Sequence, residues 1–543
     1  MKKSIITLAT SLAVLAACSD GFDAVISNMQ SPSNVAVERL SADEIKLTWT
    51  DNATAETGYV IMARRADEPA NTLKQIGEVA ANETSFTTTS LAEGYKYYIG
   101  VKAVNAKEQS RLTSVLFDME SYAGMGNVQV NELKSGTNCI YGNYTVLNSS
   151  KVSEWGLCWS ADGTPTVDGY YISGPKQADD GKVFQVIPNT LLEYGVEYSV
   201  RAYAKTDGGV NYSPVYKASM TKEYPAITLE WTKVSTPGIP SAIEVYSTTS
   251  KLNGHNFEAW YAIADVKNSD VEFRVNVPAS AQTIDDQAAS FNGDCYIMVN
   301  GGYFYQERHT GLAVVNGKNE GSINEVRGSL LTSSPEYNEM YYATRGIFGV
   351  DAADQPRAFW AGTDGDSKTK YYTTPSPCVV GKNKYGKVGA KFPVEPTAWT
   401  PKFALSAGPL LLIDGKIPFD FTMTPNSTVD VDSYLTNYEI IAYDIFGTNV
   451  SPDRTAAGCT ADGKIILFIC DGRTAQSGGA TLLELAQIMK GLGCVDAVNF
   501  DGGGSTGMMV GDKHINKAVI ENNDGTQSPY NRAVVSTMGF FKK

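Results

Sequence analysis

Residues 464–505 read KIILFICDGRTAQSGGATLLELAQIMKGLGCVDAVNFDGGGS, and this stretch governs how the C-terminal part of the chain is read. Lys464 to Cys470 is a continuous apolar run of strand length that passes straight into Asp471-Gly472-Arg473. Thr481, with Glu484 three residues on, has the spacing of a capping box. Leu482, Leu485, Ala486 and Met489 then recur at helical spacing until Gly491 and Gly493 stop the pattern. A second apolar run, Cys494 to Phe500, ends in Asp501-Gly502-Gly503-Gly504-Ser505. Strand, helix and strand joined by so long a crossover predict parallel pairing. Both acid-and-glycine loops then fall on one edge of the sheet, outside the carboxyl ends of the strands, where such sheets bind ligands.

Working outward, the same texture recurs. Cys295 to Val299 ends in Asn300-Gly301-Gly302-Tyr303-Phe304, and Phe403 to Ser406 leads into Ala407-Gly408-Pro409-Leu410. Arg454-Thr455-Ala456-Ala457-Gly458 precedes the Lys464 strand as one arm of a hairpin would, and Asn531-Arg532-Ala533-Val534 places another cation before a final strand. Residues 225–543 are therefore expected to form one α/β or α+β domain of about 320 residues, with a mixed sheet and Gly-rich loops at strand ends.

The N-terminal half reads differently. Residues 31–121 hold short apolar runs between turn residues, as in an antiparallel sandwich. Leu91, Gly94 and Tyr97 at the start of a late strand have the spacing of a tyrosine corner, whose hydroxyl pins a crossover loop. The segment resembles a fibronectin type III domain. Leu192, Gly195 and Tyr198 repeat the three positions at an offset of 101 residues, predicting a second such module over 122–224. Neither copy concentrates His, carboxylates or glycines, so both read as spacers.

Ahead of them, Lys2 and Lys3 form a basic start, and Ile5 to Ala17 is an apolar stretch too short to span a bilayer. Residues 1–17 thus read as a signal peptide. Leu15-Ala16-Ala17-Cys18 resembles the bacterial lipobox, which implies lipidation of Cys18, a linker over 18–30, and an exported bacterial lipoprotein anchored to a membrane. Ser19-Asp20 points to the outer membrane, on its periplasmic or outer face.

The totals agree with a multidomain exported protein. With 543 residues, 43% hydrophobic and 19% charged, the chain has length for about three to four cores. Gly (50) and Tyr (30) are abundant, favouring strands and turns over helix bundles. The net charge of −14 argues against nucleic acid, whose phosphates need a basic footprint, but leaves room for a small anion met by a local cluster of Arg. The seven cysteines after Cys18 are odd in number and widely spaced, against a zinc site or a dense disulfide framework; one or two bridges or buried thiols both fit.

Asn300 to Phe304, Ser406 to Pro409, Arg454-Thr455-Ala456, Asp471-Gly472-Arg473 and Asp501 to Ser505, in this order, resemble the phosphodiester glycosidase family over roughly residues 290–540. The resemblance implies hydrolysis of the glycosidic bond of a sugar-1-phosphodiester, such as an alpha-N-acetylglucosamine-1-phosphodiester, releasing the sugar and a phosphomonoester. A phosphate monoester leaves more easily than an alkoxide, so neutralising its charge matters more than acid assistance. Arg454, Arg473 and Arg532 suit that task because guanidinium pairs bidentately with phosphate oxygens and stays protonated. The N–H groups of Gly502, Gly503, Gly504 and Ser505 are expected to add fixed dipoles, each worth about 3 kcal/mol when well placed.

Asp501 is the first choice for the carboxylate that attacks the anomeric carbon or activates water. Asp471 either joins it, or holds Arg473 or a cation. Ser505 binds phosphate or fastens its turn, and Asn300, with Gly301 and Gly408 in neighbouring loops, contacts the sugar or orients a loop. Glu484 is a lesser candidate for the same carboxylate, with the capping partner of Thr481 as its favoured reading. Tyr303 stacks on a sugar or joins the core, with core packing favoured for Phe304. His255, His309 and His514 lie outside the paired loops, disfavouring a Ser–His–Asp triad or a histidine zinc site, although His309 is near enough to the Asn300 loop to reach it. No cofactor is required, and a divalent cation held by Asp residues is compatible. The competing readings are a non-catalytic glycan-binding surface lipoprotein and a structural adhesin.

Overall fold

The computed structural model describes residues 29–40, 43–119, 126–136, 139–174, 181–305, 307–322, 325–327, 340–342, 345–363, 368–374, 396–418, 439, 452–517, 519–521 and 527–543. The signal-peptide and lipidation expectations at 1–17 and Cys18, most of the 18–30 linker, and Cys378 lie outside these residues. The protein is multidomain and mostly β, and it divides into two compact units, residues 1–125 and 126–543.

In the first unit, a three-stranded sheet (Ser33–Arg39, Ile45–Thr50, Ser85–Thr88) and a four-stranded sheet (Lys74–Ala80, Gly58–Arg65, Tyr95–Val104, Thr113–Met119) supply one core. Alternation in Ile45–Thr50 sends Ile45, Leu47 and Trp49 inward, where Trp49 packs on Tyr59 at 5.4 Å between ring centres. The Tyr97 hydroxyl accepts a hydrogen bond from the Ala92 N–H at 3.1 Å, which ties the preceding turn to the late strand.

In the second unit, residues 127–218 form a three-stranded sheet (Lys182–Pro188, Cys139–Leu147, Asn127–Ser135) and a five-stranded sheet built on Glu154–Ser160 and Tyr198–Thr206. Tyr144, Leu157, Trp159 and Val200 are in their shared core, and the Tyr198 hydroxyl accepts from Glu193 N–H at 3.0 Å, matching the Tyr97 arrangement. This part is bonded directly to the C-terminal part of the unit: Asn189 donates to the Ile417 carbonyl at 2.5 Å.

The remainder of the unit is organised around a seven-stranded sheet. Its working part comprises β1 (Ala259–Ala264), β4 (Leu410–Leu412), β5 (Arg454–Thr460), β6 (Ile465–Cys470) and β7 (Cys494–Asn499), in the order β1-β6-β5-β7-β4; here β2 is Cys295–Asn300 and β3 is Pro401–Ser406, each in a separate sheet. Helix α1 (Leu482–Gly491) crosses between β6 and β7, and its capping box forms in full between Thr481 and Glu484. β2 pairs with β8 (Thr537–Lys542) in a five-stranded sheet.

The expected parallel pairing of β6 with β7 is corrected. β5 lies between them, antiparallel to both, with Arg454 opposite Cys470 and Ala456 opposite Asn499. The turn joining β5 to β6 is short, so the hairpin takes the slot beside β6, and α1 carries the chain over β5 to the next one. Two antiparallel steps still leave β6 and β7 pointing the same way. Their C-terminal loops therefore share an edge with the N-terminus of β5. Helix among the described residues is limited to Ile284–Ala289, α1 and 3-10 turns, and the described strand pairings are antiparallel, so the domain is β-rich where an α/β or α+β domain with a mixed sheet was expected.

All six described cysteines after Cys18 are buried; burial raises the Cys158 and Cys295 thiols to about 12, leaving them protonated.

Candidate functional site

Three loops meet at that edge: Asp453–Arg454 entering β5, Asp471–Arg473 leaving β6, and Asp501–Ser505 leaving β7. The Asn300–Tyr303 loop after β2 closes one side. Asp501 donates its backbone N–H to the Gly301 carbonyl at 3.1 Å, and its own carbonyl accepts from Asn300 Nδ2 at 2.6 Å. The Asp501 backbone is thus held from the second sheet, and its half-buried carboxylate accepts from the Gly502 N–H at 3.0 Å. Burial raises its pKa to about 6, partly opposed by a Ser505 hydrogen bond and the Arg532 charge.

Two arginines bracket the glycine turn. A Cβ on Gly503, whose φ is +58°, would sit 2.9 Å from Arg473 Nη2, and one on Gly504 would meet the Tyr530 ring at 2.8 Å and Arg532 Nη2 at 3.3 Å. Arg532 Nη1 donates to Ser505 Oγ at 3.3 Å. The glycines therefore admit the cations. Three of the four N–H groups expected to face an anion are engaged within the loops: Gly502 donates to Asp501, Gly503 to the Asp453 carbonyl at 2.9 Å, and Ser505 to the Gly502 carbonyl at 3.1 Å.

Other sequence-predicted residues serve as framework. Arg454 is 2% exposed and its Nε donates to the Ala480 carbonyl at 2.9 Å, so it departs from the expected phosphate-facing cation. Burial lowers its pKa to about 10, which leaves it charged at neutral pH. Asp471 is also buried: its oxygens accept from Asn516 Nδ2 at 3.0 Å and from the Lys517 N–H at 3.1 Å, neither partner being Arg473. Asn300 is fully enclosed, accepting from Thr455 Oγ1 at 2.6 Å, and Gly301 donates to Ser536 O at 2.8 Å. Gly408 accepts from the Tyr303 hydroxyl at 2.5 Å and from Asn499 Nδ2 at 2.9 Å. Tyr303 and Asn499 are also bonded to each other at 3.0 Å, which ties the Gly408 turn to the end of β7.

His309 is buried beneath the Asn300 loop, its Nδ1 3.2 Å from Ser536 Oγ, and burial lowers its pKa to about 4, which keeps it neutral. Tyr303 and Phe304 both pack against hydrophobic clusters. Among the described residues no three His, Cys, Asp or Glu side chains are gathered to hold a metal ion.

Sequence reasoning missed Asp453. It is wholly buried, and its Oδ2 accepts from Arg473 Nη2 at 2.9 Å and from Arg473 Nε at 3.2 Å. Its position between Pro452 and the Arg454-Thr455-Ala456 motif carried no periodic signal. Tyr530, whose ring faces Gly504, was missed likewise.

Asp501, Arg473, Arg532 and the glycine turn thus meet at one sheet edge. Residues 293–541 match the phosphodiester glycosidase family. Residues 30–116 match the fibronectin type III domain. Over 57 residues the chain is 46% identical to the mouse N-acetylglucosamine-1-phosphodiester alpha-N-acetylglucosaminidase, a stretch that is 10% of this chain and 11% of that protein. Over 90 residues, 17% of this chain and 13% of the relative, it is 36% identical to the SPbeta prophage-derived protein YomE of Bacillus subtilis (strain 168). The matches therefore span well under two thirds of either relative. Among solved structures, the zebrafish N-acetylglucosamine-1-phosphodiester alpha-N-acetylglucosaminidase catalytic domain, auto-inhibited by its pro-peptide, aligns at 19% identity, covering 58% of this chain and 89% of that one with a TM-score of 0.35. A hypothetical protein from Synechocystis aligns at 13% identity, covering 95% and 100%, also with a TM-score of 0.35.

Proposed function

We propose that the C-terminal domain hydrolyses the glycosidic bond of a sugar-1-phosphodiester, such as an alpha-N-acetylglucosamine-1-phosphodiester, releasing the sugar and a phosphomonoester. The observation that carries this reading is the placement of Arg473 and Arg532 on either side of the Gly503–Ser505 turn, with the Asp501 carboxylate at its start. As the anomeric C–O bond breaks, the bonding pair leaves with the phosphate oxygen, and the two guanidinium groups meet the charge that develops there. Asp501, ionised above about pH 6, acts on the anomeric carbon or takes a proton from the attacking water. Ser505 accepts from Arg532 in the turn that Asp501 opens, and so ties that arginine to the carboxylate's loop.

The reaction in this form uses no cofactor, and titration with a chelator tests whether a divalent cation contributes. We place the protein on a bacterial envelope membrane through a lipid on Cys18, supported by the Leu15-Ala16-Ala17-Cys18 sequence. Loss of palmitate labelling in Cys18→Ala tests that anchor.

The deciding experiment incubates the purified protein with a sugar-1-phosphodiester and with matched aryl glycosides. Sugar release from the diester alone, abolished in folded Asp501→Asn, supports the hydrolase. Diester binding with no turnover would instead make the protein a glycan-binding module.

A further inference from the structure

The Arg473 side chain is 39% exposed, whereas its partner Asp453 is 0% exposed. Asp453 Oδ2 takes two N–H groups of the guanidinium, at 2.9 Å and 3.2 Å, while Oδ1 is buried with no hydrogen-bond partner among the described residues. Arg473 itself is in the left-handed backbone region at φ +59°. The Asp453 backbone is held equally firmly. Its carbonyl accepts from Gly503 at 2.9 Å, and a Cβ on Gly502 would lie 2.6 Å from that carbonyl oxygen. A Cβ on Gly472 would collide with the Asp453 N–H. Asp453, itself in one of the three loops, thus touches the other two.

A buried carboxylate is costly to a fold unless it is paired, and the pairing here is with a partly exposed arginine. Burial raises its pKa, and the Arg473 charge opposes that rise. What the arrangement supplies is direction. A long exposed Arg normally samples many rotamers; here it is gripped from below, with Nη2 against Gly503.

We infer that Asp453 is a positioning residue, which presets Arg473 against the Gly503 turn as one half of an anion cradle. The inference rests on the sugar-phosphodiester reading for the identity of the anion, though not for the geometry.

The test measures binding of inorganic phosphate, the anion nearest the product's charged group, to the full chain by calorimetry, with melting temperature as the control for folding. Asp453→Asn keeps the shape and removes the charge. It is expected to weaken phosphate binding about 10- to 100-fold, as does Arg473→Gln, and the double variant binds no more weakly than Arg473→Gln alone. Wild-type affinity in Asp453→Asn, or losses that simply add, overturns the inference. Should Asp453→Asn not fold, Arg473→Lys addresses the pair from the exposed side. Lysine keeps the charge but not the two-point grip, so it should lose as much as Arg473→Gln; wild-type affinity there is equally fatal. Wild-type protein that neither binds phosphate nor cleaves a diester removes the hydrolase reading. Positioning is then read from the Arg473 Nε–H signal in protein labelled with 15N-arginine. A slowly exchanging signal that becomes fast in Asp453→Asn supports it, and a signal that is fast already in the wild type, or stays slow in Asp453→Asn, refutes it.

Discussion

Asn300 Nδ2 donates to the backbone carbonyl of Asp501 at 2.6 Å across 201 residues of sequence, joining the end of β2 in one sheet to the loop after β7 in another. Asn300 also accepts from Thr455 on β5, so one enclosed amide fixes the carboxylate loop against two sheets. An amide buried this deeply suits the task because it donates and accepts at once.

Asp501→Asn is expected to lower sugar release from a phosphodiester by at least about 100-fold, since a positioned carboxylate contributes about 10²–10⁴. Asparagine keeps the size of the side chain, so circular dichroism should match wild type and the melting temperature should not fall below it. Retention of even a tenth of the activity would remove Asp501 from the chemistry.

The pH dependence follows from burial. Asp501 titrates at about 6, and the ionised form is the active one, so kcat/KM should rise with pH up to about 6 and then level. Stability has the opposite sign at this group. The folded chain holds the proton more tightly than an unfolded aspartate at 3.8, so its contribution is present below about pH 4 and lost as pH rises through about 6. Melting temperatures of Asp501→Asn should accordingly match wild type at pH 4 and equal or exceed it at pH 8.

Gly504→Ala tests the closeness of the turn to its cations. The new methyl would meet the Tyr530 ring at 2.8 Å and Arg532 Nη2 at 3.3 Å, displacing both. We expect activity to fall about tenfold or more, with a stability loss of about 1–3 kcal/mol by denaturant titration. An unaltered kcat/KM would show that Arg532 takes no part.

Asn300→Ala should act on the carboxylate through its backbone. It strips the Asp501 carbonyl and the Thr455 hydroxyl of buried partners, costing about 1–3 kcal/mol for each group left unpaired. Activity should fall with kcat more than KM, because Asn300 is enclosed and orients the loop. A loss confined to KM would instead make it a sugar contact.

Asp496 supports the far end of β7. It is 1% exposed, and its oxygens accept from Arg357 Nε at 2.9 Å, Ala358 N–H at 3.2 Å and Asp414 N–H at 3.0 Å. Asp496→Ala should cost about 2–4 kcal/mol in denaturant titration, leaving the buried Ala358 N–H and the partly buried Asp414 N–H unpaired. KM for the diester should not move in the fraction that remains folded.

Much of the plan was legible in local sequence. The apolar run of β6, the capping box of α1, the hairpin arm of β5 and the two tyrosine corners are short-range signals, written in steps of two or 3.6 residues or in fixed turn spacings. The acid-and-glycine loops were placed on one edge by the direction of β6 and β7, which survives the insertion of β5 between them. Tertiary structure alone decided which charge faces the site. Arg454 and Arg473 look alike in sequence, yet Arg454 begins a central strand and is sealed against Ala480, while Arg473 leaves an edge loop and emerges beside Gly503. The pairing of Asp453 with Arg473, and the diversion of the glycine N–H groups into internal bonds, were equally invisible. Strand periodicity says which side chains turn inward, but the partner met there is chosen by packing between segments far apart in the chain, where no local pattern records it.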